Sequence, residues 1–359
     1  MIESADRAKH APLHTLQSSH CVAPADPLVA YLLPLRDLTM IQIPSDRFTS
    51  GARGPERGDA RALPHPLTPF EDLIVNFCPT GMIPTKAMTP HVPVAPWEVI
   101  DQSCVALERG VSIVHLHARD DEGTPTSQAE IFEAMILGIR GEFPEAIISV
   151  SCTGGMAFER GSEVLELTGA ARPDLASLTR STLDLPSDAR RSAPDAVIAL
   201  AEKMTGRGIK PVIECYDYGM INAANMLIAK GILGKGPYYF NLLLGASYSV
   251  PATAKHLAGM IDDLPEHSIW SAGGVGLFQL PMNALAIAMG GHTRVGLEDN
   301  IFHGFDRSEL ATNQGLVERV ADLSETFGRK LASPARARAL LGLGPSAAIT
   351  EGRTARAVR

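Results

Sequence analysis

The chain has 359 residues, 45% of them hydrophobic, and a formal net charge of −8 with the two signs interspersed. That length and apolar content supply one large core or two modest ones. The 32 glycines and 26 prolines indicate many loops without low-complexity sequence. The charge balance argues against nucleic acid as a partner, and no apolar run reaches the length of a membrane span.

Five cysteines (Cys21, Cys78, Cys104, Cys152 and Cys215) are odd in number and scattered, with no C-x-x-C. Such thiols are expected to be reduced, as in a cytosolic protein. Cys78, Cys152 and Cys215 lie in apolar strand-like runs, where cysteine acts as a small core residue. The stretch Met1–His10 is charged and no apolar h-region of a signal peptide follows it, so no secretory signal is expected and a cytoplasmic location is.

Residues 1–68 read as a weakly ordered N-terminal extension. Gly51 to Pro69 is dense in breakers, and the apolar stretch Leu28 to Ile43 has no clean period. An upstream start codon that is not used is the other reading. From about residue 69 a regular alternation begins. Strands are expected at Leu73–Cys78, Ser112–His117, Ile147–Cys152, Leu175–Thr179, Pro211–Tyr216, Tyr238–Leu244, Ile269–Ala272 and Thr293–Leu297. Helices are expected at Ala95–Glu108, Ala129–Glu142, Ser162–Leu167, Pro194–Arg207, Met220–Lys230, Ala252–Ile261, Leu280–Met289 and Thr312–Leu331. Eight strands alternating with eight helices give an α/β chain of the (β/α)8 TIM-barrel class, covering residues 69–341. An open doubly wound sheet is the rival, but Phe77-Cys78-Pro79-Thr80-Gly81-Met82 is not its Gly-rich fingerprint. A last helix, Ala335–Leu341, stops at Gly342, and residues 342–359 read as a loose tail.

Catalytic groups of a barrel sit at the C-terminal ends of its strands, and the polar residues of this chain collect there. The second strand ends in His115-Leu116-His117-Ala118-Arg119, where the alternation of a strand sends His115, His117 and Arg119 to one face. The eighth ends in Arg294-Val295-Gly296-Leu297-Glu298-Asp299. The first two strands are neighbours and closure brings the eighth against the first, so His115, His117 and Glu298 are expected to converge. Two histidines and a carboxylate with an open position make a catalytic Zn2+ arrangement that Fe2+ or Mn2+ also accept. Such an ion can polarise a carbonyl. Arg294 paired with Asp299 would hold that acid as a base beside a bound carbonyl. Gly154-Gly155 and Gly273-Gly274 lie where a ligand would approach backbone N–H groups.

The set H-L-H-A-R-D, S-C-T-G-G, P-V-I-E-C-Y-D-Y-G-M and H-T-R-V-G-L-E-D-N-I-F resembles the β-keto acid cleavage enzymes, from about Leu73 to Leu341. The resemblance implies a zinc-dependent TIM barrel, usually a homotetramer. Its members condense a β-keto acid with acetyl-CoA, releasing acetoacetate and a new acyl-CoA by Claisen and retro-Claisen chemistry. It implies His115, His117 and Glu298 as metal ligands and Asp299, supported by Arg294, as the base. Glu214 matches an active-site glutamate. Ser151 would contact substrate, with Cys152 and Thr153 as alternatives, and Ser177 and Thr179 match two further substrate contacts. The alternative function is a metal-dependent carbon–carbon lyase or aldolase that does not use coenzyme A.

Where the aminohexanoate-cleaving members have T-G-A-E, this chain has Thr80-Gly81-Met82-Ile83. An apolar Ile83 cannot pair a buried ammonium, so an aminated substrate is expected not to be the natural one. Lys86 and His91 in the same loop would either meet a polar or anionic substrate tail or simply face solvent.

Overall fold

The computed structural model describes residues 70–152, 162–179 and 194–350. The expected N-terminal extension, Thr153, the Gly154-Gly155 pair and residues 351–359 lie outside them. Eight parallel strands close into a barrel: β1 (Val75–Phe77), β2 (Ile113–Leu116), β3 (Ile147–Val150), β4 (Leu175–Thr179), β5 (Lys210–Cys215), β6 (Tyr238–Leu244), β7 (Ser268–Gly274) and β8 (His292–Val295). Each strand pairs with the next in sequence, and β8 pairs with β1 in the register Asn76 to Arg294, which completes the cylinder. The expected (β/α)8 barrel is therefore the fold.

The helices are α1 (Pro96–Glu108), α2 (Ala129–Glu142), α3 (Pro194–Gly206), α4 (Tyr218–Ala229), α5 (Ala254–Asp262), α6 (Gln279–Ala288), α7 (Asn313–Thr326) and α8 (Pro334–Leu341). Pro96 opens α1, where a missing N–H costs nothing. Asp217, Thr253, Thr312 and Ser333 cap α4, α5, α7 and α8 by accepting a backbone N–H in the first turn. Gly342 ends α8 in the left-handed conformation, as its position predicts. The helix expected at Ser162–Leu167 is a single 3-10 turn, Glu163–Glu166, and a second such turn, Gly169–Ala171, follows it. A two-stranded ribbon, Ala118–Arg119 with Pro125–Thr126, follows β2 and was not expected. No described helix is long and apolar enough to cross a membrane.

The large apolar core fills the space between barrel and helices. A second cluster closes the barrel floor. Ile74, Ile113, Ile147, Leu175, Val212 and Tyr239 meet Ala337, Leu340 and Leu341 of α8 there. That helix is locked by Asp174, which lies just before β4. Its carboxylate accepts both Nη groups of Arg338 at 2.9 Å, Nη2 of Arg140 at 2.8 Å and the Ile148 N–H at 3.0 Å. The start of the expected loose tail is held as well: Leu343 packs on the floor cluster, its N–H bonds to the Arg338 carbonyl, and Ser346 is buried.

Candidate active site

Strand alternation fixes what stands above this floor. Two residues beyond Ile74, Ile113, Ile147, Leu175, Val212 and Tyr239 come Asn76, His115, Ser149, Ser177, Glu214 and Asn241. All six are polar and buried, and Ser271 and Arg294 complete the layer. The barrel thus changes from apolar to polar in one step toward its C-terminal mouth.

At one side of this layer His115 Nε2 lies 3.2 Å from His117 Nε2, and His117 Nε2 lies 3.1 Å from Glu298 Oε1. The three ligand atoms all lie within 4.8 Å of one another. Ligands 2.0–2.1 Å from a tetrahedral ion stand about 3.3 Å apart, so the spacing suits a first-row divalent ion. Two further observations fit one. Glu298 Oε2 is buried with no hydrogen-bond partner, and three carboxyl groups (Glu214, Glu298 and Asp299) surround a single guanidinium, that of Arg294. The His115 Nδ1 stands 3.0 Å from Ser149 Oγ on the neighbouring strand, which leaves Nε2 to face the other donors.

Arg294 organises the acids. Its Nε donates to Asp299 Oδ2 at 2.8 Å, its Nη2 to Glu298 Oε1 at 2.6 Å, and its Nη1 lies 3.5 Å from Glu214 Oε1. Burial opposes ionisation of Glu298, but Arg294 and the two imidazoles hold its carboxyl well below the usual range. Burial raises Asp299, and Glu298 and Glu214 add to the rise against the pull of Arg294. Burial also pushes His115 down to about 3, so it stands as a neutral imidazole. Neighbouring acids of one site are thereby driven in opposite directions.

Ser151 is buried at the end of β3. Ser177 Oγ accepts the Cys152 N–H at 3.1 Å, and Thr179 donates to Glu214 Oε2 at 2.5 Å. Gly273 makes room for Arg294, whose Cβ would stand 3.3 Å from an added Cβ, and Gly274 sits against the Phe278 carbonyl. That pair is explained by packing. Lys86 bonds to Glu98 at 2.6 Å and to the Pro90 carbonyl. Arg119 hydrogen-bonds the carbonyls of Gly81, Pro84 and Gly123, where β2 has ended at Leu116 and the ribbon carries the chain on. Ile83 is 69% exposed, so the burial cost expected for an ammonium beside it does not arise in the single chain; what remains is that position 83 carries no carboxylate. Sequence reading missed Ser149, although it is the register partner of His115. It also missed Asn313, which accepts the Leu297 N–H and donates to the Pro79 carbonyl, tying the last strand's loop to the first's.

The family model for beta-keto acid cleavage enzymes matches residues 72–343. The chain belongs to that family. It is 38% identical over 276 residues to a 3-keto-5-aminohexanoate cleavage enzyme of Fusobacterium nucleatum, covering 76% of this chain and 99% of that one. It is 36% identical over 276 residues to a 3-oxoadipate:acetyl-CoA acetyltransferase of Cupriavidus necator, covering 75% and 94%. Among solved structures, the ternary complex of ObcA with a C4-CoA adduct and oxalate superposes with a TM-score of 0.60 at 18% identity, over 72% of this chain and 68% of that one, and shares the fold.

Proposed function

We propose that this β-keto acid cleavage enzyme family member is a metal-dependent transferase. It condenses a β-keto acid with acetyl-CoA and releases acetoacetate and a new acyl-CoA. The observation that carries the reading is the pairing of a two-histidine, one-carboxylate cluster with a second acid, Asp299, on the same guanidinium as the carboxylate of that cluster. His115, His117 and Glu298 would hold a divalent ion, with zinc as the first choice from the donor set. Such an ion supplies Lewis-acid polarisation of the keto group.

Asp299 accepts the proton from the carbon between the keto and carboxylate groups, and Arg294 keeps the acid aimed. The carbanion attacks the acetyl thioester and expels coenzyme A. The thiolate then attacks the original ketone carbon, and cleavage of the carbon–carbon bond releases the new acyl-CoA and a carbanion that takes the proton back from Asp299 to become acetoacetate. Ser151, Ser177 and Thr179 line the same polar end and would bind the substrate carboxylate. Glu214 holds the remaining side of Arg294. The names of the relatives support coenzyme A as co-substrate and give no support to the coenzyme-free aldolase reading.

The test is a screen of β-keto acids with purified enzyme, reading acetoacetate release with and without acetyl-CoA, beside metal analysis of the same preparation. Acetoacetate release that needs both acetyl-CoA and a bound divalent ion is expected. Cleavage at the same rate without acetyl-CoA would favour the aldolase. Within the screen, unaminated β-keto acids are expected to outpace 5-amino-3-ketohexanoate, because position 83 offers no charge to an ammonium; fastest turnover of the aminated acid would refute this.

A further inference from the structure

Arg119 is a buried cation for which no carboxylate partner stands within salt-bridge distance among the described residues. All three of its nitrogens are spent on main-chain carbonyls. Nε and Nη2 both donate to Gly81 O, at 3.1 and 2.7 Å, Nη2 also donates to Pro84 O at 3.0 Å, and Nη1 donates to Gly123 O at 2.9 Å. One planar guanidinium thus ties the loop between β1 and α1 to the ribbon that follows the histidines. A lysine has one nitrogen and cannot span these acceptors.

What the loop presses on gives the contact its significance. Gly81 stands with φ +65°, and a Cβ there would come 2.4 Å from Glu298 Cγ and 2.9 Å from Glu298 Cβ. The backbone at Gly81 is therefore the wall against which the Glu298 side chain rests. The Cys78 carbonyl, three residues earlier, also takes the Glu298 N–H at 3.2 Å.

We propose that Arg119 is a positioning residue that clamps the Gly81–Pro84 loop onto Glu298, so that one contact sets both the orientation of the proposed carboxylate ligand and the rim wall that carries Ile83. The inference rests on the metal reading given above. Among the described residues Arg119 makes no hydrogen bond or ion pair to His115, His117, Glu298 or Asp299; its charge is felt at Glu298, but its contacts run through the loop backbone, as those of outer groups do when they orient a metal ligand.

The experiment titrates metal-free wild type, Arg119→Lys, Gly81→Ala and the double variant with Zn2+ against a competing chelator, with thermal melts to establish folding. Each single variant is expected to bind zinc about 10–100-fold more weakly. The double variant is expected to be no worse than the weaker single, because both changes displace Glu298 through the same wall, one by loosening the loop and the other by pushing a methyl group against the side chain. Losses that multiply, or an Arg119→Lys affinity within twofold of wild type, would overturn the clamp while leaving the metal reading intact. A wild type that binds neither zinc nor manganese would sink the metal reading and this inference with it. Arg119→Gln replaces the lysine variant if that chain does not fold, and loss of folding in both would make Arg119 a determinant of the barrel rather than of the site.

Discussion

Asp299 and Glu298 are adjacent in sequence, share one guanidinium and end in opposite roles. Glu298 faces the imidazoles, while Asp299 is held on the Arg294 Nε edge. Asp299→Asn keeps the shape and removes the base. It is expected to retain bound metal and lose about 10²–10⁴-fold in turnover; near-normal rates would show that another group takes the proton. A different buried imidazole, away from the site, contributes to acid sensitivity alongside His115. His292 Nδ1 accepts the Ile74 N–H at 3.0 Å, and burial lowers the imidazole to about 3. The unfolded chain takes up that proton below about pH 6.5 and the folded chain does not. The contribution of His292 to stability is therefore complete above about pH 6.5 and is lost as pH falls toward 3, at up to ~1.4 kcal/mol per unit. His292→Asn, which keeps an acceptor for Ile74, is expected to flatten this slope in urea unfolding between pH 7 and 5. An unchanged slope would assign the acid sensitivity elsewhere.

At the scale of elements, the strands were legible because their two faces differ in chemistry. The run Ile113-Val114-His115-Leu116-His117 alternates, and the alternation sends both histidines to the side where Glu298 arrives from β8. Arg119 was not legible. Its role depends on a two-residue ribbon too short to carry a periodic signal and on carbonyls from another loop, which no side-chain pattern encodes. Ser149 escaped for a different reason: a serine inside an apolar strand reads as filler until its register partner is known. Lys86 found Glu98 across a loop whose path the sequence does not fix. The floor helix α8 was expected as a helix, but its lock was not, because Asp174, Arg140 and Arg338 are distant in sequence. Asp174→Asn leaves two buried guanidinium groups facing a neutral amide, and a loss of about 3–5 kcal/mol is expected by urea unfolding. A midpoint shift near zero would mean that solvent or the neighbouring carbonyls satisfy both arginines.

For the molecule as a whole, the barrel carries a buried excess of acid at one end of its axis and an apolar seal at the other. An ion that binds only the folded chain offsets the first. Zinc at a hundredfold excess over its dissociation constant is expected to add about 2.7 kcal/mol to the unfolding free energy, seen as a rise in melting temperature that a chelator reverses. A melt identical with and without zinc would argue that the histidine pair holds no ion in the folded state. The seal has a consequence for the order in which the chain can assemble. Ile74 and His292 share a hydrogen bond across 218 positions, and the side chains that stopper the cylinder come from residues 337–341. During synthesis the opening strand must wait, unpaired on one edge, for nearly all of the catalytic domain to emerge. The ring closes and its stopper seats almost together, so a chain cut shortly before Pro334 would keep every strand of the cylinder and leave its greasy bore open to water.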